Sequence, residues 1–177
     1  MSFTDRASGI DPVLLQIVEK ILSRRKLAEM LRTALRPVVF TNGVFDILHR
    51  GHVSYLAQAR SLGATLVLGL NSDSSARSLG KGPERPINNE ADRALVLASL
   101  QCVDFVVLFD EPTPVALLLE LRPDIYVKGG DYDMETLEET RLVRSWGGRS
   151  AALNFVHGYS TTSLVQRLRE PEPRKES

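Results

Sequence analysis

The sequence predicts an α/β fold, a doubly wound parallel sheet of five strands in the spatial order 3-2-1-4-5 with helices on both faces. Three observations predict it. Short apolar, β-branched runs recur at Val38 to Thr41, Thr65 to Leu70, Phe105 to Phe109, Ile125 to Val127 and Ala151 to Phe155. Helical stretches separate them, near His52 to Leu62, Glu90 to Leu100, Thr113 to Leu121 and Thr136 to Trp146, and a last one lies near Thr162 to Leu168. Such alternation calls for parallel strands joined by right-handed crossovers, whose helices must cover the sheet on both sides. This Rossmann-like winding reverses direction between the first and fourth strands and opens a crevice at their carboxyl ends, where ligands bind.

The elements follow in order. Met1 to Gly9 is polar and expected to be frayed. Asp11 can cap a helix that Pro12 opens, because the N–H that proline lacks is unpaired in a first turn anyway; the helix should end near Lys20. Ser23 offers a second cap, and Leu27, Met30, Leu31 and Leu35 recur at helical spacing until Pro37 stops the run. The first strand then leads into TNGVFDILHRGH, Thr41 to His52, which carries two of the three histidines. Between the second strand and the next long helix lies GKGPERPINNEADR, Gly80 to Arg93, punctuated by glycine and proline. The fourth strand leads into VKGGDYD, Val127 to Asp133, and the last into GYSTTS, Gly158 to Ser163. We divide the chain into an N-terminal helical extension (1–36), the α/β domain (37–169) and a polar tail (170–177) expected to be disordered. No internal repeat or low-complexity tract interrupts it.

Composition narrows the function. The 177 residues include 22 Lys plus Arg and 22 Asp plus Glu, so the formal net charge is zero and no basic surface points to nucleic acid or an anionic membrane. An anionic ligand must be met by a local cluster. One cysteine, Cys102, permits no internal disulfide and no thiolate zinc cage, as suits a reducing cytosol. No apolar run approaches the ~18 residues of a membrane span, and the first residues lack a signal-peptide pattern, so the chain is expected to be cytoplasmic.

The strand-to-helix turn holding Asn42, Gly43, Asp46, His49 and His52 aims polar side chains and the N–H groups of a helix start at one point, which suits an anion such as phosphate. Val44, Phe45, Ile47 and Leu48 anchor that turn to the core. Lys81, Arg85 and Arg93 cluster positive charge around a second loop, and the guanidinium fork matches phosphate. Four successive hydroxyl residues in GYSTTS exceed what helix capping requires. Other chemistries fit less well. An i, i+3 histidine pair can bind zinc but lacks an evident third ligand. No G-x-S-x-G turn supports a hydrolase triad, and neither a Walker loop nor G-x-G-x-x-G is present. His157 reads as a structural residue near the end of the last strand.

His49-Arg50-Gly51-His52 resembles the HxGH motif of the nucleotidyltransferase superfamily, and Ser160-Thr161-Thr162 resembles its second signature. The resemblance covers nearly all of Lys20 to Leu168. More narrowly, TNGVFDILHRGHVSYLAQAR, LNSD, RPIN, VKGGDY and YSTT are similar to heptose 1-phosphate adenylyltransferases, which make the ADP-heptose precursor of bacterial lipopolysaccharide. In many bacteria that domain is fused behind a sugar kinase. None precedes it in this sequence, so a separate kinase is expected to supply the sugar phosphate.

The resemblance implies the following site. His49, His52, Lys81 and Arg85 are the catalytic residues. Thr41, Asn42, Gly43, Phe45, His49 and His52 would hold the nucleotide with Lys128, Gly129, Gly130 and Asp131, while Ser160, Thr161 and Thr162 take its phosphates. Asp46, Asn71, Asp73, Lys81, Arg85 and Arg93 would face the sugar phosphate. ATP is the expected nucleotide and Mg²⁺ the expected cofactor, carried mainly by phosphates, with Asp46 as a water-mediated partner or a structural residue of the turn. The direct metal ligands stay open. A homo-oligomer is expected by resemblance, with the apolar run Leu117 to Leu121 as a dimer surface. Glycerol 3-phosphate cytidylyltransferases share the chemistry but carry an RTxGIST-type segment where this chain has NFVHG, Asn154 to Gly158. A guanylyl-transferring heptose enzyme and a non-catalytic nucleotide-binding module are the remaining alternatives.

Overall fold

The computed structural model describes residues 11–80, 82, 84–130, 132–154 and 160–169. Both predicted caps form: the Asp11 carboxylate accepts from the Val13 N–H at 2.8 Å and opens α1 (Pro12–Val18), and the Ser23 hydroxyl accepts from the Lys26 N–H at 3.4 Å and opens α2 (Arg24–Met30). Beyond them the chain alternates as β1 (Val38–Gly43), α3 (Arg50–Ser61), β2 (Thr65–Asn71), α4 (Asp73–Ser78), α5 (Glu90–Ala98), β3 (Phe105–Phe109), α6 (Val115–Leu121) and β4 (Ile125–Gly129). A 3-10 turn (Met134–Thr136), α7 (Glu138–Ser145), β5 (Arg149–Leu153) and α8 (Thr161–Arg169) complete it. All strands are parallel and lie in the order β3-β2-β1-β4-β5, the predicted winding.

The period-two alternation of side chains splits the core in two. Val39, Leu66, Leu68 and Ile125 point to the face covered by α3 and α5, where they meet Leu56 and Leu97. Phe40, Val67, Val107 and Tyr126 point to the other face, where Leu117 and Leu118 of α6 and Val143 of α7 cover them. Each such leucine or phenylalanine contributes ~1.5–3 kcal/mol by leaving water. The apolar run Leu117 to Leu121 is therefore not the dimer surface expected: Leu117, Leu118 and Leu121 are buried in this core, and Leu119 alone of them is exposed.

The N-terminal extension joins the same core. Leu22, Leu27 and Leu31 are buried with the second cluster, and a bridge between Ile21 and Val106 lays the chain along the edge strand β3. Strand boundaries differ from the sequence reading at β1 and β5. β1 runs on through Asn42 and Gly43 because these pair with Gly69 and Leu70. β5 starts at Arg149, which pairs with Ile125, so an edge strand carries a polar residue where an apolar one was expected. The predicted strand residue Phe155 and His157 lie outside the described residues, as do the first ten residues and the tail. The short polar α4 was not anticipated; the Ser72 hydroxyl caps it by accepting from the Ser75 N–H at 3.2 Å. Among the described residues no helix is long and apolar enough to cross a membrane.

Candidate active site

The site begins where β1 leaves the sheet. Phe45 adopts the left-handed region at φ 47°, a cost of ~1–2 kcal/mol for a residue with a side chain. Burial of its ring, 8% exposed, offsets that cost. Gly43 makes room for the turn, since a Cβ there would lie 2.9 Å from the Phe45 ring. The ring in turn packs edge-on against His52, with centroids 5.3 Å apart. Residues usually written off as spacer thus fix the position of an imidazole.

His49 is the N-cap residue of α3 in extended conformation, yet its side chain does not cap the helix. It stacks on His52 instead, with ring centroids 3.9 Å apart and planes 25° from parallel. The i, i+3 spacing permits this because such residues lie on one helical face. Burial, and secondarily the neighbouring His49, pushes the His52 pKa down from 6.5 to about 4, and burial lowers that of His49 as well. Near neutral pH both rings are uncharged, each with one N–H donor and one acceptor nitrogen. They meet an anion as hydrogen-bond donors at a helix N-terminus rather than as fixed charges.

The RPIN segment is fastened to the histidine turn by Asp46. This buried carboxylate accepts from the Ile87 N–H at 2.8 Å, the Asn88 N–H at 3.0 Å and Arg85 Nη1 at 2.7 Å, while Asn88 Nδ2 donates to the Asp46 carbonyl at 2.6 Å. Asp46 and Arg85 both line the cavity, and the carboxylate orients the guanidinium there. Arg93 departs further from expectation. It is 2% exposed, and its guanidinium donates to the carbonyls of Asn88 (3.0 Å), Val44 (2.7 Å) and Asn71 (2.9 Å) and to the Asp73 carboxylate (2.6 Å). Arg93 and Asp73 brace the site from beneath and do not line the cavity. Asn71 does line it, with Nδ2 donating to Ser75 Oγ at 2.9 Å.

Across the switch point, Lys128 and Gly129 of β4 reach the cavity. The Lys128 ammonium sits 5.9 Å from the Tyr126 ring centre and 5.8 Å from that of Tyr132, within cation–π range. Tyr126 Oη donates to Asn42 Oδ1 at 3.2 Å, orienting that amide toward the cavity. Thr41 is fully buried, not in the lining; its hydroxyl bonds that of Tyr55, which donates to the Val127 carbonyl at 3.2 Å and ties β1, α3 and β4 together. Burial raises the pKa of both tyrosines, so they stay protonated. Gly130 turns at φ 114° and donates its N–H to the Leu153 carbonyl at 2.9 Å, outside the lining. Ser160, Thr161 and Thr162 enter from α8. The Ser160 hydroxyl accepts from the Ser163 N–H at 3.0 Å, and Thr161 Oγ1 donates to the Ile47 carbonyl at 3.4 Å, docking α8 on the histidine turn. Lys81 and Asp131 lie outside the described residues.

These groups surround a cavity of about 940 Å³ at the carboxyl ends of the strands. Sequence reasoning missed part of its wall: Leu79 just after α4, Pro112, Thr113 and Pro114 after β3, and Tyr132 and Glu139 beyond β4. The signal that could have found the first loop is the rule that ligands lie at strand carboxyl ends, applied to the threonine in EPTP. Among the described residues no group of three His, Cys, Asp or Glu is arranged to hold a metal ion. What the arrangement can do is align an extended polyanion over neutral donors, with Arg85 and Lys128 in the wall of the same cavity.

Comparison with known proteins points the same way. The cytidylyltransferase-like family profile matches residues 40–167. A D-beta-D-heptose 1-phosphate adenylyltransferase of Bordetella bronchiseptica is 59% identical over 153 residues, covering 85% of this chain and 94% of that protein. The bifunctional protein HldE of Syntrophotalea carbinolica is 55% identical over 146 residues, 82% of this chain but 30% of that protein. Among solved structures, a lipopolysaccharide core biosynthesis protein from Thermoplasma volcanium superposes with a TM-score of 0.57 at 33% identity, covering 67% of this chain and 95% of that one. A pantoate-beta-alanine ligase from Francisella tularensis, with a TM-score of 0.53 at 14% identity over 76% of this chain and 66% of that one, shares the fold.

Proposed function

The chain belongs to the cytidylyltransferase-like family and is a nucleotidyltransferase, and on that premise we propose that it joins ATP to D-glycero-β-D-manno-heptose 1-phosphate, giving ADP-heptose and pyrophosphate for lipopolysaccharide core synthesis. The observation that carries the reading is the stacked histidine pair at the start of α3, lining a cavity whose wall also holds Arg85 and Lys128. A sugar phosphate has a second pKa of about 6, so the attacking oxygen is already ionised near neutral pH and the enzyme needs no general base. An oxygen of the sugar phosphate attacks the α-phosphorus of ATP, and the bond from that phosphorus to the bridging oxygen breaks as pyrophosphate leaves with its electron pair.

The protein's part is alignment and charge stabilisation. His49 and His52 donate N–H to the triphosphate with the backbone of α3, and Thr161 and Thr162 contact the β- and γ-phosphates. Arg85, held by Asp46 and carrying five N–H donors, receives the sugar phosphate together with Lys81. Lys128 and Gly129, with Asn42, lie against the nucleoside. Mg²⁺ arrives as part of the nucleotide substrate, on phosphate oxygens and water. An ATP-consuming reaction of this kind belongs in the cytoplasm. Pyrophosphate release with ATP, CTP and GTP against heptose 1-phosphate and glycerol 3-phosphate tests the assignment. Turnover should be confined to ATP with the heptose. Preference for CTP with glycerol 3-phosphate, or ATP binding without product, would overturn it.

A further inference from the structure

The order of the strands fixes the order of the loops above them. Running across the carboxyl edge are the loop after β3, then α4 after β2, then the histidine turn after β1, then the segment after β4. A ligand centred on the histidines with its nucleoside over Lys128 and Gly129 must point its other end over β2 and β3. There the cavity wall is Pro112, Thr113 and Pro114, with Leu79 and Asn71 beside it. Thr113 is exposed between two prolines and carries a hydroxyl able to hydrogen-bond a sugar hydroxyl.

That wall is held from two sides. On the inside, Ser75 Oγ donates to the Glu111 carbonyl at 2.8 Å and accepts from Asn71 Nδ2 at 2.9 Å, so the residue before Pro112 is bonded to the end of β2. On the outside, the Glu111 carboxylate takes a two-pronged grip from Arg24, whose Nη1 donates to Oε1 at 2.8 Å and whose Nη2 bonds Oε2. The Asp110 N–H adds a bond to the same carboxylate at 3.1 Å, and Glu120 of α6 lies 3.6 Å from Arg24. Arg24 opens α2, in the extension that precedes the family-matched residues 40–167.

We propose that Arg24 is a positioning residue for the acceptor sugar: through its ion pair with Glu111 the N-terminal extension sets the Pro112–Thr113–Pro114 wall, on which Thr113 contacts the heptose. The inference rests on the reaction proposed above. Arg24 touches no substrate, so its loss acts only where the wall acts, on capture of the sugar phosphate and not on nucleotide binding or on the displacement itself.

The test is steady-state pyrophosphate release by the full chain with ATP and heptose 1-phosphate. Arg24→Ala should raise the KM for the sugar phosphate about five- to tenfold, with kcat and the KM for ATP within about twofold of wild type. Thr113→Val should do the same, and the double variant should be no worse than the weaker single, because the two residues act through one wall. Arg24→Glu combined with Glu111→Arg should restore the wild-type KM to within about twofold. If Arg24→Ala does not accumulate as folded protein, Glu111→Gln, which keeps the shape and removes the charge, gives the same reading. An unchanged sugar-phosphate KM, equal shifts for both substrates, or additive Arg24 and Thr113 effects would overturn the inference and leave the reaction standing. No turnover by the wild-type chain would sink both.

Discussion

Replacing Arg93 separates a bracing role from a substrate-binding one. Its guanidinium joins Val44 after β1, Asn71 at the end of β2, Asp73 at the start of α4 and Asn88 before α5, four segments that frame the cavity. Arg93→Met keeps the buried volume but strips partners from three carbonyls and one carboxylate. A buried acceptor left without a partner costs ~1–3 kcal/mol. The three carbonyls bear most of that cost, Asn71 above all because its bond is buried, since Asp73, 22% exposed, can turn to water. Allowing for solvation of Asp73, the sum is ~4–5 kcal/mol, in line with the ~3–5 kcal/mol lost when one partner of a buried ion pair is removed. Against a typical domain stability of ~5–15 kcal/mol this leaves a marginal protein. Arg93→Lys keeps the charge but cannot reach four acceptors in four directions, and should cost ~2 kcal/mol. Urea denaturation gives the stabilities, and kinetics of Arg93→Lys at a temperature where it is folded gives the rest. If Arg93→Lys unfolds within ~0.5 kcal/mol of wild type while its KM for the sugar phosphate climbs, Arg93 is a phosphate ligand and the bracing role fails.

His52→Ala should fold and lose ~10²–10³ in kcat, the usual effect of deleting one oriented donor to a developing charge; turnover near wild type would remove His52 from the mechanism. Acid stability offers an independent view of the same ring. Because the folded-state pKa of His52 is about 4 against 6.5 unperturbed, the unfolded chain binds more protons between those values and stability falls as pH drops through that window. The gap bounds the loss at ~3 kcal/mol, and the ring's partial contact with solvent reduces it to ~1–2 kcal/mol. Denaturant midpoints measured from pH 7 to pH 4 should therefore fall less steeply for His52→Ala than for wild type, and parallel slopes would show that the ring is not held neutral.

Strand order and the histidine turn could be read from the sequence because both rest on local signals, apolar periodicity and an unusual run of polar residues on an anchored turn. Arg93 could not. In a sequence a guanidinium in a loop with Lys81 and Arg85 reads as a phosphate ligand, and its burial follows only when Val44, Asn71 and Asn88 bring carbonyls from separate segments to one point. The same blindness hid α4, too short and polar to show a period, and displaced β5, where Arg149 sits in an edge strand with solvent beside it. Leu117 to Leu121 misled in the opposite direction: the run is apolar because α2 and α7 cover it, and nothing in the run itself distinguishes a covered face from a docking face.

The buried charges explain how a chain with no net charge can handle a polyphosphate. Asp46 is paired with Arg85, Asp73 with Arg93, and burial disfavours the charged form of both histidines, so these groups meet a polyanion as oriented donors rather than as a block of unpaired positive charge. A strongly cationic cradle would hold both ATP and the departing pyrophosphate and would slow product release. Neutral imidazoles, stacked and fixed by Phe45, gain most when negative charge accumulates opposite them, as it does while the bond to pyrophosphate breaks. Desolvation that lowers the histidine pKa values is on this view part of the catalytic design: it suppresses ground-state attraction while leaving the N–H groups aimed where charge develops.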